Sequence, residues 1–294
     1  MRLLVIGRSG QLAHELMRID WPPGTTVTAL GRPHLDVTDA DSVEAAVAAA
    51  NPTLIVNASA YTAVDRAETE PAAAFAVNHT GARNLALAAA RRALPLIHVS
   101  TDYVFGGDSE RPWREDDAIG PLGVYGRSKL AGEQAIRELL PAHIILRASW
   151  LFASHGQNFV RTMLRLGRER ENLGIVDDQF GCPTSAADLA RVIAAITQAL
   201  ASGCSDFGTY HYAGTPPVSW YDFAQAIFAN AGALVPKAPE LRPITTADYK
   251  APARRPAYSL LDCRKIARVF GLEPRPWIDG LRAVLTELRL PVER

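Results

Sequence analysis

At 294 residues and 48% hydrophobic content, the chain can hold one large domain or two modest ones around a packed core. Basic and acidic residues both number 31, which excludes a charge-driven case for a nucleic-acid or other polyanion partner. Three widely spaced cysteines (Cys182, Cys204, Cys263) argue against a disulfide framework or a paired-thiolate metal site, and fit reduced thiols.

The first element is a short apolar run, Leu3-Leu4-Val5-Ile6, which reads as a strand buried on both faces. No signal peptide precedes it, and no apolar stretch is long enough to cross a bilayer. A cytoplasmic protein without a membrane partner is expected. Gly7-Arg8-Ser9-Gly10-Gln11-Leu12-Ala13 follows at once, then the helix-forming His14-Glu15-Leu16-Met17. Strand, glycine turn and helix in that order form a dinucleotide-binding arrangement. Gly7 permits the sharp turn, Gly10 lets a pyrophosphate approach the backbone, and Ala13 allows close packing of helix on strand.

A second strand, Thr26 to Leu30, ends at Gly31-Arg32. No acidic residue stands there to bond a ribose, and Arg32 can meet a 2′-phosphate, which favours NADPH while leaving NADH possible. Asp36 and Val37 are placed near an adenine ring. Asp39 and Asp41 read as cap and first-turn charges of a helix over Ala40 to Ala50. The third strand, Leu54 to Asn57, runs into small residues around Ala58, Ala60, Tyr61 and Thr62, which let a ligand approach the backbone. A helix over Pro71 to Ala93 and a fourth strand, Leu96 to Val99, come next. His98, inside that apolar strand, reads as a core histidine. Thr101, just past the strand, is placed to present a hydroxyl at the carboxyl edge of a sheet. A polar loop, Asp108 to Pro121, leads to Tyr125-Gly126-Arg127-Ser128-Lys129 and a helical run, then to a fifth strand over Ile144 to Arg147. This alternation predicts an α/β fold, a doubly wound parallel sheet of the Rossmann kind.

After Ser149 the pattern changes. Helices are expected over Asn158 to Glu171, Ser185 to Leu200, Trp220 to Ala231 (with Ser219 as cap) and Leu281 to Leu288. Strand-like runs lie at Leu173 to Gln179 and Gly208 to Tyr212, and Pro236 to Pro256 reads as irregular. The predicted organisation is a dinucleotide-binding domain over residues 1–150, with parts of 174–214 returning to it. A smaller C-terminal substrate-binding lobe covers residues 151–294. The cleft between them is the expected site.

Tyr125 and Lys129, four apart on one helix face, carry the candidate chemistry. A phenol has a pKa near ~10 and is a poor acid or base at neutral pH. A nearby ammonium favours the phenolate and draws that value toward the working range, so the pair can move a proton to or from an oxygen.

Gly7-x-x-Gly10-x-x-Ala13, Asn57-Ala58-Ser59-Ala60, Ser100-Thr101-Asp102 and Tyr125-x-x-x-Lys129 occur in this order. Together they resemble the extended short-chain dehydrogenase/reductases. Longer strings narrow the resemblance to the dTDP-4-dehydrorhamnose reductases: Tyr61-Thr62-Ala63-Val64-Asp65-Arg66-Ala67-Glu68, Ser100 to Phe105, Val124 to Glu133, Asn158 to Met163, Asp178 to Thr184 and Arg255 to Leu260. The resemblance implies reduction of a 4-keto dTDP-sugar with hydride from NAD(P)H. It implies that Tyr125 protonates the developing alkoxide, Lys129 holds the nicotinamide ribose and Thr101 bonds the substrate carbonyl. Gly7, Gly10, Gln11, Leu12, Arg32, Asp36, Val37, Ala58, Ala60, Tyr61, Thr62 and Val99 would then line the cofactor with Tyr125 and Lys129. Asp102, Trp150, Asn158 and Arg255 would contact the sugar nucleotide with Thr101 and Tyr125. Trp150 divides evenly between core packing and ligand contact.

Some members of the group form dimers around magnesium. Glu15 can serve as one ligand, but Ala186-Ala187-Asp188 offers one acid where a pair is expected, so no metal site is predicted and magnesium gains little support. A monomer or homodimer is expected. Two alternatives stand beside the reductase: another sugar-nucleotide enzyme such as an epimerase or 4,6-dehydratase, and a non-catalytic dinucleotide-binding regulatory subunit of the methionine adenosyltransferase type. A dehydratase would want further carboxylates beside Thr101, yet Asp102 is followed by Tyr103.

Overall fold

The computed structural model describes residues 1–290; the last four residues of the expected 151–294 lobe lie outside the described residues. Strand and helix alternate through the first half: β1 (Arg2–Ile6), α1 (Gln11–Met17), β2 (Thr26–Leu30), α2 (Ala40–Ala50), β3 (Leu54–Asn57), α3 (Val64–Ala67), α4 (Pro71–Phe75), α5 (Ala82–Ala90), β4 (Leu96–Thr101), α6 (Val124–Leu139) and β5 (His143–Ala148). The second half runs β6 (Leu151–Phe152), α7 (Phe159–Glu169), β7 (Asn172–Val176), β8 (Phe180–Gly181), β9 (Thr184–Ser185), α8 (Ala186–Ala201), β10 (Gly208–His211), β11 (Val218–Ser219), α9 (Trp220–Ala231), β12 (Glu240–Ile244), α10 (Thr246–Tyr249), α11 (Arg264–Phe270) and α12 (Trp277–Arg289).

Six strands form one sheet in the order β10-β5-β4-β3-β1-β2, every neighbouring pair parallel. The strand period of two divides its side chains between two cores. Leu3, Val5, Leu54, Val56, Ile97 and Ile144 pack with Leu12 and Leu16 of α1 and Leu189 and Ile193 of α8. Leu4, Ile6, Ile55, Leu96 and Ile145 pack with Val43, Val47, Leu85 and Ile136 from α2, α5 and α6. Helices on both faces explain why these strands read as continuous apolar runs. A third core joins Phe152, Val160, Leu173, Phe223, Trp277 and Leu281 from the second half of the chain. Chain direction reverses across the sheet at β1 and β3, and their carboxyl ends open on a cleft.

Several expected boundaries need correction. The helix predicted over Pro71 to Ala93 is interrupted by a π-helical turn, Ala76–Gly81, and ends at Ala90. The stretch Pro236 to Pro256 is not irregular: β12 pairs with β7 there, with Pro243 opposite Ile175, and α10 follows. An edge strand tolerates proline where the missing N–H faces away from its partner. The strand expected to reach Gln179 stops at Val176. The closing helix starts at Trp277 instead of Leu281. Helices α3, α10 and α11 span at most two turns, too little for a periodic pattern to register. Ser219 does cap α9, in a reciprocal box with Asp222.

The helix α6 is fastened to the sheet by a buried ion pair. Glu133 accepts from Arg147 Nε at 2.9 Å and Nη2 at 2.7 Å, from Arg137 Nη2 at 2.6 Å and from Ser100 Oγ at 2.5 Å. Glu133 and Arg147 are both 0% exposed. Burial pushes the Glu133 carboxyl upward, but the hydrogen bonds and charge of Arg147 prevail and hold it below the usual glutamate value. The stability this lowered value contributes is complete above the ordinary glutamate range and is lost as pH falls through the lowered value. Replacing Arg147 by Met should remove about 3–5 kcal/mol from the unfolding free energy, because Glu133 is left buried with its principal partner gone. Urea unfolding at neutral pH checks this.

Candidate active site

The glycine turn after β1 meets the chain after β3. Gly7 has φ of 111°, and a Cβ there would strike the backbone of Ala58 and Ser59. Gly10 donates its N–H to Gly7 O at 2.8 Å and leads into α1 with no side-chain cap. This close approach leaves backbone facing a cleft of about 1500 Å³. Arg32, Asp36 and Val37 lie further along the same wall, as do Ala58, Ala60, Tyr61, Thr62 and Val99. Asp36 spends Oδ1 on the Thr38 N–H and hydroxyl, at 2.9 and 2.7 Å, which lowers its pKa. Asp39 caps α2, as expected.

Thr101, Asp102, Tyr125 and Lys129 line the cleft together at the carboxyl end of β4. α6 starts at Val124, so Tyr125 sits in its first turn and Lys129 one turn later. Glu68 takes the Val124 N–H at 2.8 Å. Gly126 and Gly132 let the helix lie against the carbonyls of Tyr103 and Asn78. Asn78, inside the π-helical turn, accepts from Tyr61 N and donates to Tyr61 O and to Ser128 Oγ, so one amide joins the loop after β3 to α6. Such turns recur at functional sites.

Burial pushes the Tyr125 phenol up to about 12, the Thr101 hydroxyl opposing it and the Asp102 charge adding to it. Lys129 is not among the groups that shift this phenol. Lys129 Nζ is turned elsewhere: it donates to Val99 O at 2.7 Å and lies 3.2 Å from His98 Nε2. Burial pulls Lys129 down to about 8, against the charge of Glu133. Asp102 is 1% exposed and burial raises it to about 7, opposed by nearby Ser259 and Thr101 hydroxyls. Its Oδ1 accepts from Thr101 Oγ1 at 3.0 Å. A phenol that stays protonated at neutral pH, beside a hydroxyl donor and a buried lysine, can give a proton to an oxygen that gains charge.

Trp150 packs on a second ring and also faces the cleft. It has φ of 48°, stacks on Trp220 with ring centroids 3.4 Å apart, and still lines the cleft. Arg255 donates Nη2 to Asp65 at 2.9 Å, while its buried Nη1 has no partner among the described residues and the side chain lines the cleft. An unpartnered guanidinium nitrogen in a cleft wall fits an anion. Asn158 is not in the cleft lining: its Nδ2 goes to Gln11 Oε1 and two backbone carbonyls, and Oδ1 caps α7 through Arg161 N. Sequence reasoning missed Tyr103, Phe159, Gln179, Trp220 and Tyr249, which also line the cleft. Tyr103, Phe159 and Gln179 lay inside strings already singled out, whereas Trp220 and Tyr249 lay in none.

A family model described as RmlD substrate binding domain matches residues 1–290. The chain belongs to the dTDP-4-dehydrorhamnose reductase family. A reductase of that name from Aggregatibacter actinomycetemcomitans is 45% identical over 96% of this chain and 98% of its own length. The crystal structure of one from Clostridium acetobutylicum superposes with a TM-score of 0.91 at 34% identity, covering 99% of this chain and 100% of that one. One from Bacillus anthracis in complex with NADP gives 0.89 at 37% identity, covering 97% and 99%. Membership in this family is consistent with the cleft chemistry above: a protonated tyrosine, a buried lysine and a threonine hydroxyl beside a glycine turn.

The acids considered for magnesium are differently employed here. Asp188 is taken by the Tyr212 hydroxyl and by Arg191. Glu15 instead gathers with His14 and His155, their ligand atoms within 4.8 Å of one another.

The tight seat of α6 gives a direct test. A methyl at Gly126 would overlap the Tyr103 carbonyl and Pro121. Gly126→Ala should destabilise the protein by about 1–3 kcal/mol and weaken dinucleotide binding, because Tyr125 and Lys129 shift with the helix. Thermal unfolding with and without dinucleotide reads both effects.

Proposed function

We propose that the chain reduces the 4-keto group of dTDP-4-dehydro-L-rhamnose to give dTDP-L-rhamnose, with NADPH as the preferred cofactor. The observation that carries the reading is the buried Thr101, Tyr125 and Lys129 set on one wall of the cleft. Residues present fit a dinucleotide: the Gly7 cradle admits no Cβ, and backbone lines the wall beyond it. Gly7, Gly10, Gln11 and Leu12 hold the pyrophosphate, Arg32 meets a 2′-phosphate, and Asp36 and Val37 flank the adenine. Ala58, Ala60, Tyr61, Thr62 and Val99 complete the wall, and Lys129 holds the nicotinamide ribose. When bound, the reduced cofactor supplies the hydride.

The chain's own residues do the rest. Thr101 donates to the substrate carbonyl, a contact that strengthens as charge builds on oxygen. Tyr125 gives its proton to that oxygen; a phenol raised to about 12 is still protonated at working pH, which suits reduction. Arg255 meets the diphosphate through its unpartnered Nη1, and Trp150 with Trp220 walls the nucleotide end. Asp102 contacts the sugar. Residues 1–150, with parts of 174–214 returning to them, act as the dinucleotide domain, and the rest of 151–294 as the substrate lobe. The protein works in the cytoplasm as a monomer or homodimer.

The test is absorbance at the reduced-nicotinamide band, with NADPH or NADH and the keto-sugar nucleotide made in situ. Loss that requires the sugar nucleotide, faster with NADPH, is expected. Cofactor binding without turnover would favour a regulatory or epimerase role instead. Tyr125→Phe should keep NADPH binding while kcat falls by roughly 10²-fold or more. An unchanged kcat would remove Tyr125 as the proton donor.

A further inference from the structure

The proton positions around Lys129 follow from hydrogen-bond chemistry alone. In the parallel pairing of β3 and β4, Asn57 stands beside His98. Both are buried, at 2% and 1% exposure. The Ser59 backbone N–H, 3.0 Å away, and the Ser59 hydroxyl, 2.7 Å away, both point at Asn57 Oδ1. A backbone N–H can only donate, so the amide oxygen must face Ser59 and the amide nitrogen must face the ring. Asn57 Nδ2 lies 2.9 Å from His98 Nδ1. His98 Nδ1 is therefore the acceptor and carries no proton.

Burial, the largest cause, holds His98 well below the usual histidine value, so the ring is neutral. A neutral imidazole with a bare Nδ1 has its proton on Nε2. That N–H lies 3.2 Å from Lys129 Nζ. An ammonium has three donors and no lone pair, so only the amine form of Lys129 can accept this bond. The other two assignments each force a clash. A proton on Nδ1 opposes the Asn57 amide, and a flipped Asn57 opposes the Ser59 N–H.

We propose that His98 is a positioning residue for this reaction: Asn57 fixes its proton on Nε2, and that N–H, aimed at Lys129 Nζ, favours the amine over the ammonium in the free enzyme. Other groups facing Lys129 do not reverse this. Glu133, one turn on along α6, favours the ammonium, but Arg147 of β5 and Arg137 take up its carboxylate. Tyr125, one turn back, is a protonated phenol at neutral pH. His143 of β5 is also held below its usual value by burial, so it adds no charge beside the ring. Lys129 itself is pulled down to about 8. Ribose hydroxyls offer lone pairs and favour the ammonium, so dinucleotide binding raises the ammonium share of Lys129 with protons taken from solvent. His98 thus ties the charge of the site to its occupancy. The catalytic consequence rests on the reductase reading; the tautomer does not.

The first arm is two-bond 15N–1H NMR of histidine-labelled protein without cofactor, with His98 assigned by comparison with His98→Phe or by sequential labelling. A bare Nδ1 and a protonated Nε2 are expected; an Nδ1–H tautomer or an imidazolium overturns the proposal. The second arm is the pH profile of kcat/KM. Wild type should lose activity as pH rises through about 8, where Lys129 discharges. His98→Phe keeps a buried ring but removes the N–H, so the alkaline limb should move up by roughly one pH unit. A limb that stays in place or moves down in the folded variant overturns the role. Should His98→Phe not fold, the wild-type tautomer decides alone. An expected tautomer in a protein without turnover would fault the reductase reading and leave the hydrogen-bond assignment standing.

Discussion

The site depends on one buried pair, Glu133 with Arg147. A helix laid on a sheet can slide or roll if apolar contacts alone hold it, because those contacts have no direction. Glu133 removes that freedom: one carboxylate is bonded by Arg147 from β5, Ser100 from β4 and Arg137 from its own helix. Arg147 is held in turn by the Phe105 ring, 5.1 Å from its guanidinium carbon, and contacts His211 on β10. Three adjacent strands, β10, β5 and β4, thereby set the height and rotation of α6. Lys129 and Tyr125 lie one and two turns before Glu133, so their aim into the cleft inherits that setting. The pair need not add net stability to perform this task, since buried charges repay little beyond their own desolvation.

Burial of the reacting groups then selects the chemistry. In water, a phenol beside an ammonium would be drawn toward the phenolate. Here Tyr125 is desolvated and Lys129 is turned toward Val99 and His98, so the phenol goes up and the amine comes down. Both shifts reduce the charge in an enclosed space. A site that favours neutral groups at rest meets a developing alkoxide with a proton ready to give.

The sequence made the reacting end legible and left the far end dark, for a physical reason. Gly7, Gly10 and Thr101 lie within a few residues of a strand end, and α/β topology places strand ends together, while Tyr125 and Lys129 share one helix face by their spacing of four. Spacing along the chain was therefore enough to group them. Trp220 is seventy residues beyond Trp150 in the chain, and only tertiary packing stacks the two rings. Asn158 is the converse case: a string shared with a family marked it for binding, and the string does not show that its amide caps α7 and ties Gln11 to the loop before that helix. The break in the helix after Pro71 was equally hidden, because alanines such as Ala72, Ala73 and Ala76 suit a continuous α-helix. The π-helical turn follows from bonds that Asn78 makes to Tyr61 and Ser128, which no local pattern contains.

One strand end illustrates how a two-residue period can divide labour. His98 and Ser100 point toward the face of the sheet that α6 covers, one contacting Lys129 and the other bonding Glu133. Ile97 and Val99 belong to the opposite core, and Thr101, the next in that alternation, reaches the cleft. Polar residues that fasten the helix and the hydroxyl that faces a ligand are thus interleaved on a six-residue strand without competing for space. A slip of one residue in the pairing of β4 would turn His98 and Ser100 away from α6 and exchange them for Ile97 and Val99. Glu133 would lose its serine and Lys129 its imidazole in the same step. The register of β4 between β3 and β5 is therefore what couples the hydrophobic pattern of the sheet to the proton chemistry of the cleft.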